Sequence, residues 1–470
     1  MRGERRRGAG RVILGLAGVA GAAVVGVSAL RVGPPPEVKI EAGLPGIGPR
    51  TPFVVTVAEP ARGLAGVTVE LLQGDLRRVL AETRDTPRAP WKLWGPLQAR
   101  RELKVEAGHA TLTGLRAGDA VVRVTAARAG TWLISPDPVV RDLTLPVRLV
   151  PPTIELLSTQ HYVTQGGAEA VVYRVGASAT RHGVQAGERF FPGFPLPGGG
   201  PQDRFALFAA PYDLDDARRV ALVAGDDVGH EARRAFVDRF AGRPLAHDRI
   251  ELNAAFLDKV VTEIRAHTPG LPDAGGALAN YLAINRDLRR ENAAELENLA
   301  RHSAPRFLWR EAFVGLPKGK VMSAFADRRA YVFEGREVDQ QDHLGFDLAS
   351  TRHAPVPAAN DGVVVLARYF GIYGNAVVLD HGYGLMTLYA HLSRLDVQNG
   401  QSVARGQALG LSGQTGLAGG DHLHFSVLLH GLPTTPAEWW DAHWIRDRLA
   451  RKLGPAFGSL PAPAEAPPGP

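Results

Sequence analysis

Histidines at 422 and 424 flank Leu423 in a run, His422-Leu423-His424-Phe425-Ser426-Val427, that otherwise reads as a buried strand. Side chains alternate between the two faces of a strand, so both imidazoles point one way and Leu423 the other. Burying the apolar residue therefore commits two polar rings to one small volume. Two further stretches offer groups that could meet them there. These are His343-Leu-Gly-Phe-Asp347, whose ends converge if the Gly-containing segment turns, and Tyr389-Ala-His391. Catalytic zinc takes three protein ligands from His, Asp or Glu and keeps a position for water, which becomes acidic enough to act as a nucleophile near neutral pH. His343, Asp347, His391, His422 and His424 supply three ligands and two spare imidazoles, the parts needed for metal-assisted hydrolysis.

The surrounding text reads as short strands. Gly362–Leu366, Ala376–Asp380 and Leu385–Tyr389 are apolar runs separated by Gly371, Gly374, Gly382 and Gly384 as turns. His343-x3-Asp347, Tyr389-Ala-His391-Leu392-Ser393 and Asp421-His422-Leu423-His424-Phe425 together resemble the signature of the LytM/lysostaphin-type zinc metallopeptidases. Pro355–Ala359, Gly374-Asn375, Asp380-His381-Gly382, the paired Gly400-Gln401-Ser402-Val403 and Gly406-Gln407, and Gly413-Gln414-Thr415-Gly416 extend the resemblance over about residues 320–449.

The resemblance implies one Zn2+ per catalytic domain held by His343, Asp347 and His424. His391 and His422 are then the non-ligand pair that activates the zinc-bound water and stabilises the charged intermediate. It also implies an antiparallel-β peptidase domain over 316–450 and an endopeptidase acting on the peptide cross-links of peptidoglycan. The alternative is a non-catalytic LytM-type regulator or scaffold that activates other cell-wall hydrolases. Such relatives show substitutions among these five positions, and none is missing here. His353, His381, His430 and His443 read as turn or packing residues, and Trp439, Trp440 and Trp444 as core.

The N-terminus sets the compartment. Arg2, Arg5, Arg6, Arg7 and Arg11 stand against Glu4, and an uncharged run from Val12 to Leu30 follows. Nineteen residues at helical rise reach about 28 Å, the hydrocarbon thickness of a bilayer. The basic flank keeps the N-terminus cytoplasmic. Residues 1–31 thus read as a transmembrane anchor or a signal. The length of the run favours an uncleaved anchor, whereas Val27-Ser28-Ala29 resembles a cleavage site. The expected product is a single-pass protein of the bacterial cell envelope with a periplasmic or extracellular C-terminal part, or a secreted one if the segment is cleaved. The first eleven residues carry five positive charges and one negative, +4 of the net +6, so the basic balance is a targeting signal and no argument for nucleic acid. The chain contains no cysteine, which excludes disulfides, thiolate metal sites and a lipid-anchored N-terminal cysteine.

Between the two ends the chain reads as mainly β and multidomain. Pro34-Pro35-Pro36 is a stiff spacer. Short alternating runs (Phe53–Val57, Val67–Leu72, Ala110–Leu112, Ala120–Val124) give an immunoglobulin-like β-sandwich module over 38–150. A second such module over 151–230 carries the runs Ala170–Val175, Arg204–Phe208 and Arg219–Val223. Both are expected to be spacers or to bind the wall or a partner, with protein partners unidentified. From Glu231 to 310 a helical linker is expected. Leu252, Phe256, Val260, Val261 and Ile264 mark one apolar face, and a second helix spans roughly Leu278 to Arg301. Its charged side reads as the solvated face of a linker, and the alternative is a hairpin that leans on the ligand-bearing block that follows and gates it. The Pro-rich tail, 459–470, has little means of burying itself and is expected to be disordered.

Overall fold

The computed structural model describes residues 4–454 and 457, with the side chains of residues 4–10 left out; the expected disordered tail at 459–470 lies outside the described residues. Helix α1, Glu4–Leu30, contains the apolar run, and its Arg11–Leu30 stretch, with a mean hydropathy of 2.2, is long and apolar enough to cross a membrane.

The chain divides into two compact units, the first comprising residues up to Pro152 with Ser178–Thr180 and Gly225–Glu231, the second the remainder. In the first unit Glu37–Ala42, Thr51–Ala58 and Arg100–Ala107 form one antiparallel sheet. Leu76–Arg84, Leu64–Gln73, Gly118–Arg128 and Val139–Val147 form the other, in that spatial order. Alternation in Thr51–Ala58 buries Phe53, Val55 and Val57 in the same core as Val67, Val69, Val122 and Val124, so one apolar layer joins both sheets. Ala110–Leu112, expected as a strand, is a turn, held by the Gly108 carbonyl accepting from the Thr111 and Leu112 amides.

The second unit begins with two four-stranded sheets. Ala168–Val175 pairs with Asp203–Ala209 in one, and Arg181–Ala186 with Arg189–Pro192 in the other. Helix starts later than its expected onset at Glu231. Glu231–Ala235, Arg239–Ala241 and His247–Leu252 are strands, and α2, Ala254–His267, begins only after Asn253 caps the Phe256 amide. The period-3.6 pattern at Phe256–Ile264 gave α2 its face, but it says nothing about the alternating His247–Leu252 upstream. That strand lies parallel to Asp327–Phe333, with Leu252 opposite Phe333. Helix α3, Ala277–Ala283, runs through a π-helical turn at Ile284–Leu288 into α4, Arg289–Ala300. Leu257, Val260, Ile264, Tyr281 and Ile284 share one core cluster with Tyr331 and Ile372, so the helices bury their apolar faces on the C-terminal sheets.

The C-terminal part is an antiparallel eight-stranded sheet. Its spatial order is Lys320–Ser323, Phe346–Ala349, Leu423–Leu429, Leu385–Leu392, Asn375–Gly382, Gly362–Tyr369 and Ser402–Val403, with Leu432–Thr434 pairing on Leu423–Leu429. Trp439 is fully buried against Trp309 and Phe313, and Trp440 packs on Phe346 and Phe425, which makes this aromatic cluster core.

Candidate metal centre

Strand register brings the five sequence-selected residues together. Asp347 lies directly opposite His424 on neighbouring strands, and Ala390, next to His391, is opposite His424 on the other side. His343 ends the adjoining strand Arg336–His343, and the short turn at Leu344-Gly345 brings it back over Asp347. Gly345 is required there, because a Cβ would fall 2.6 Å from the His424 ring and from Ser426 Oγ.

Three ligand-type atoms converge. His343 Nε2, His424 Nδ1 and Asp347 Oδ1 are each 3.0 Å from the other two. A tetrahedral ion with ligand bonds of about 2.0–2.1 Å spaces its ligand atoms by roughly 3.3 Å, so the cluster is slightly tighter than a loaded site.

The outer nitrogens decide what the inner ones can do. His343 Nδ1 donates to the Ala324 carbonyl at 2.9 Å, His391 Nδ1 to the Thr415 carbonyl at 2.8 Å and His422 Nδ1 to the Gly420 carbonyl at 2.8 Å. A carbonyl can only accept, so in each neutral ring Nε2 is left with its lone pair. Ser426 Oγ spends its hydrogen on the Leu344 carbonyl and must therefore accept from His424 Nε2, 3.0 Å away, which leaves Nδ1 bare. Three lone pairs facing one another, with no donor among them, suit a cation. The residues present fit zinc, and the outer contacts are the kind that fix ligand orientation in metal sites.

Burial sharpens the charges. Burial lowers His424 to about 4, and burial with the neighbouring His422 and His424 holds His391 well below the ordinary imidazole value. His422 is also disfavoured as a cation by burial, but Asp347, with Oδ1 3.5 Å from Nε2, outweighs this and raises it. The rings of His391 and His422 are 4.9 Å apart. His391 has φ +62, a left-handed conformation unusual for a side-chain-bearing residue and common at functional sites.

Residues that sequence reasoning missed complete the surroundings. Arg329 donates to Asp347 Oδ2 and to Ser323 Oγ, both at 2.7 Å, so it pins the carboxylate oxygen turned away from the histidines. On a strand, Arg329 reads as an ordinary solvent-facing cation, and only the fold reveals its partner. Tyr373 sits 5.8 Å from the His424 ring. The centre opens into a groove of about 510 Å³ whose wall includes Leu252, Phe256, Tyr281 and Arg289 from the preceding strand and helices. Helix α2 also holds the Gln414–Ala418 loop. Lys259 Nζ donates to the Gln414 and Ala418 carbonyls, and Glu263 Oε1 accepts the Gly416 amide at 2.7 Å.

The remaining histidines have other work. His381 is buried between the Asp361 carbonyl and Thr387 Oγ1, and His353 lies by Ser393 and Ser412. Asp421 accepts from Ser412 Oγ and from the His353 amide, so it braces the strand entry instead of joining the cluster.

Residues 341–436 match the model of peptidase family M23, and the C-terminal part of the chain is similar to LytM-type peptidases. It is 42% identical over 116 residues to peptidoglycan DD-endopeptidase ShyA of Vibrio cholerae, covering 25% of this chain and 26% of that protein. It is 42% identical over 94 residues to DD-carboxypeptidase/endopeptidase Mpg of Neisseria meningitidis, covering 20% and 22%. The chain thus spans about a quarter of the length of these curated relatives. Among solved structures, the catalytic domain of lysostaphin from Staphylococcus simulans aligns at 27% identity over 27% of this chain and 94% of that domain, with a TM-score of 0.23.

Proposed function

We propose that this protein is a zinc-dependent endopeptidase that hydrolyses peptide cross-links of peptidoglycan in the cell envelope. The observation that carries this reading is the meeting of His343 Nε2, His424 Nδ1 and Asp347 Oδ1, with the His391 and His422 rings beside them, at the end of an open groove. The named activities of the M23 relatives, DD-endopeptidase and DD-carboxypeptidase/endopeptidase, supply the substrate class.

His343, Asp347 and His424 would hold one zinc ion. When bound, zinc acts as a Lewis acid toward a carbonyl and makes water nucleophilic near neutral pH. His391 and His422 keep Nδ1–H on backbone carbonyls and turn Nε2 inward, so each can take a proton from water or return one to a leaving amine. Two such rings 4.9 Å apart can divide these tasks. Arg329 holds Asp347 in the rotamer that faces the histidines. Helix α1 has the length and apolar character of a membrane anchor, and in this reading it tethers the catalytic part beside the wall.

The test joins metal analysis to muropeptide release from purified sacculi, with wild-type protein and His422→Ala. Bound zinc with new muropeptide ends that vanish in the variant is the expected result. Zinc binding without cleavage would replace this reading with the regulator or scaffold.

A further inference from the structure

The groove is lined by two guanidinium groups with different commitments. Arg329 is engaged by Asp347 and Ser323. Arg289 has no carboxylate partner among the described residues. Its Nε donates to the Asn285 carbonyl at 3.0 Å and its Nη2 to Asn285 Oδ1 at 2.6 Å. Glu251, another carboxylate on the groove wall, is paired with Arg249 instead.

Arg289 is also built in place. Asn285 is fully buried, and its Nδ2 donates to Asp339 Oδ2 at 2.8 Å, while Arg286 takes Asp339 Oδ1. The π-helical turn Ile284–Leu288 inserts this network into the long helix immediately before Arg289, and such turns gather at functional positions. The outcome is a guanidinium whose Nε and one terminal nitrogen are fixed and whose remaining edge is unclaimed. Tyr281 and Tyr373 line the same groove as Arg289, and Tyr373 in turn lies against His424. An unpaired, pre-oriented cation in the same groove as the centre is suited to a planar carboxylate.

We infer that Arg289 binds a free carboxylate of the substrate peptide flanking the scissile bond, and so makes the protein selective for acidic over amidated stem peptides. The inference rests on the peptidase reading above. The matching substrate is a cross-link made through the side-chain amine of a diamino dicarboxylic acid, because the carboxyl on the carbon that bears that amine stays free beside the new amide bond.

The experiment compares two cross-linked muropeptide dimers, one with these carboxylates free and one with them converted to primary amides, using full-length detergent-solubilised protein loaded with zinc. Wild type is expected to favour the acid by roughly 10- to 100-fold in kcat/KM, the range for a hydrogen bond to a charged group. In Arg289→Gln the ratio collapses toward unity through a raised KM for the acid, and Arg289→Lys recovers part of it. Thermal melting of each variant identifies any that fail to fold. Equal cleavage of both dimers by wild type, or a preference that survives in Arg289→Gln, overturns the inference and leaves the peptidase reading standing. Cleavage of neither dimer by wild type overturns both.

Discussion

Asp347 and His424 are register partners on adjacent antiparallel strands, and the pairing sets Oδ1 3.0 Å from Nδ1. A one-residue slip would turn either side chain to the opposite face of the sheet. The centre is therefore specified by the same hydrogen-bond ladder that specifies the sheet, and its precision is inherited from the core.

Metal affinity should depend on Ser426, which touches no metal. It accepts from His424 Nε2 and thereby selects the tautomer that bares Nδ1. Ser426→Ala is expected to weaken zinc binding about 10- to 100-fold, as for other outer-shell partners, with the fold retained. Competition with a chromogenic chelator measures this. Unchanged affinity would mean that His424 is oriented by packing alone.

A second dependence runs through α2. Glu263 holds the Gly416 amide, and the neighbouring Thr415 carbonyl orients His391. Glu263→Ala should lower kcat by roughly tenfold, the low end for losing a charged hydrogen bond, with zinc content unaltered. Single-turnover kinetics alongside metal analysis separates the two quantities.

Removing everything before Leu316 should lower stability and activity rather than release a restrained enzyme. The truncation strips His247–Leu252 from the edge of Asp327–Phe333 and bares Tyr331 and Ile372, which share a core with α2 and α3. A lower melting temperature and weaker muropeptide release are expected. Greater activity in the truncated form would instead identify the helices as an inhibitory lid.

Stability should fall as pH rises toward 8 because of Glu438. Burial pushes its carboxyl up to about 8, the Ala168 amide being its hydrogen-bond donor. The folded pKa lies above the unfolded value of about 4.3. The folded state therefore binds the proton more tightly, and this contribution is complete below the unfolded pKa and lost as pH climbs through the folded one. Melting temperatures of wild type should decline between about pH 4.3 and 8 more steeply than those of Glu438→Gln. Parallel curves would exclude Glu438 as the cause.

The site was legible in the sequence because its residues sit on strands whose period is two, which let His422 and His424 be assigned to one face without coordinates. The strands from Gly362 to Val427 followed from apolar runs and glycine turns for the same reason. His247–Leu252 was not legible as a strand of this region. Its parallel partner lies about eighty positions on, and nothing local announces such a pairing. Arg329 and Arg289 were missed on the same ground. A cation on a strand or helix looks solvated until the fold shows what faces it, and Asn285 gave no sign of the π-helical turn it anchors.

The order of the strands also sets a schedule. Within the eight-stranded sheet Leu423–Leu429 lies between Phe346–Ala349 and Leu385–Leu392, so the last long strand among the described residues is inserted between two that were made earlier. A growing polypeptide presents His343, Asp347 and His391 before either partner histidine exists. Pairings this distant along the chain also form slowly. A chain cut short before His422 would therefore lack both of these imidazoles, and the three ligand-type atoms could not meet.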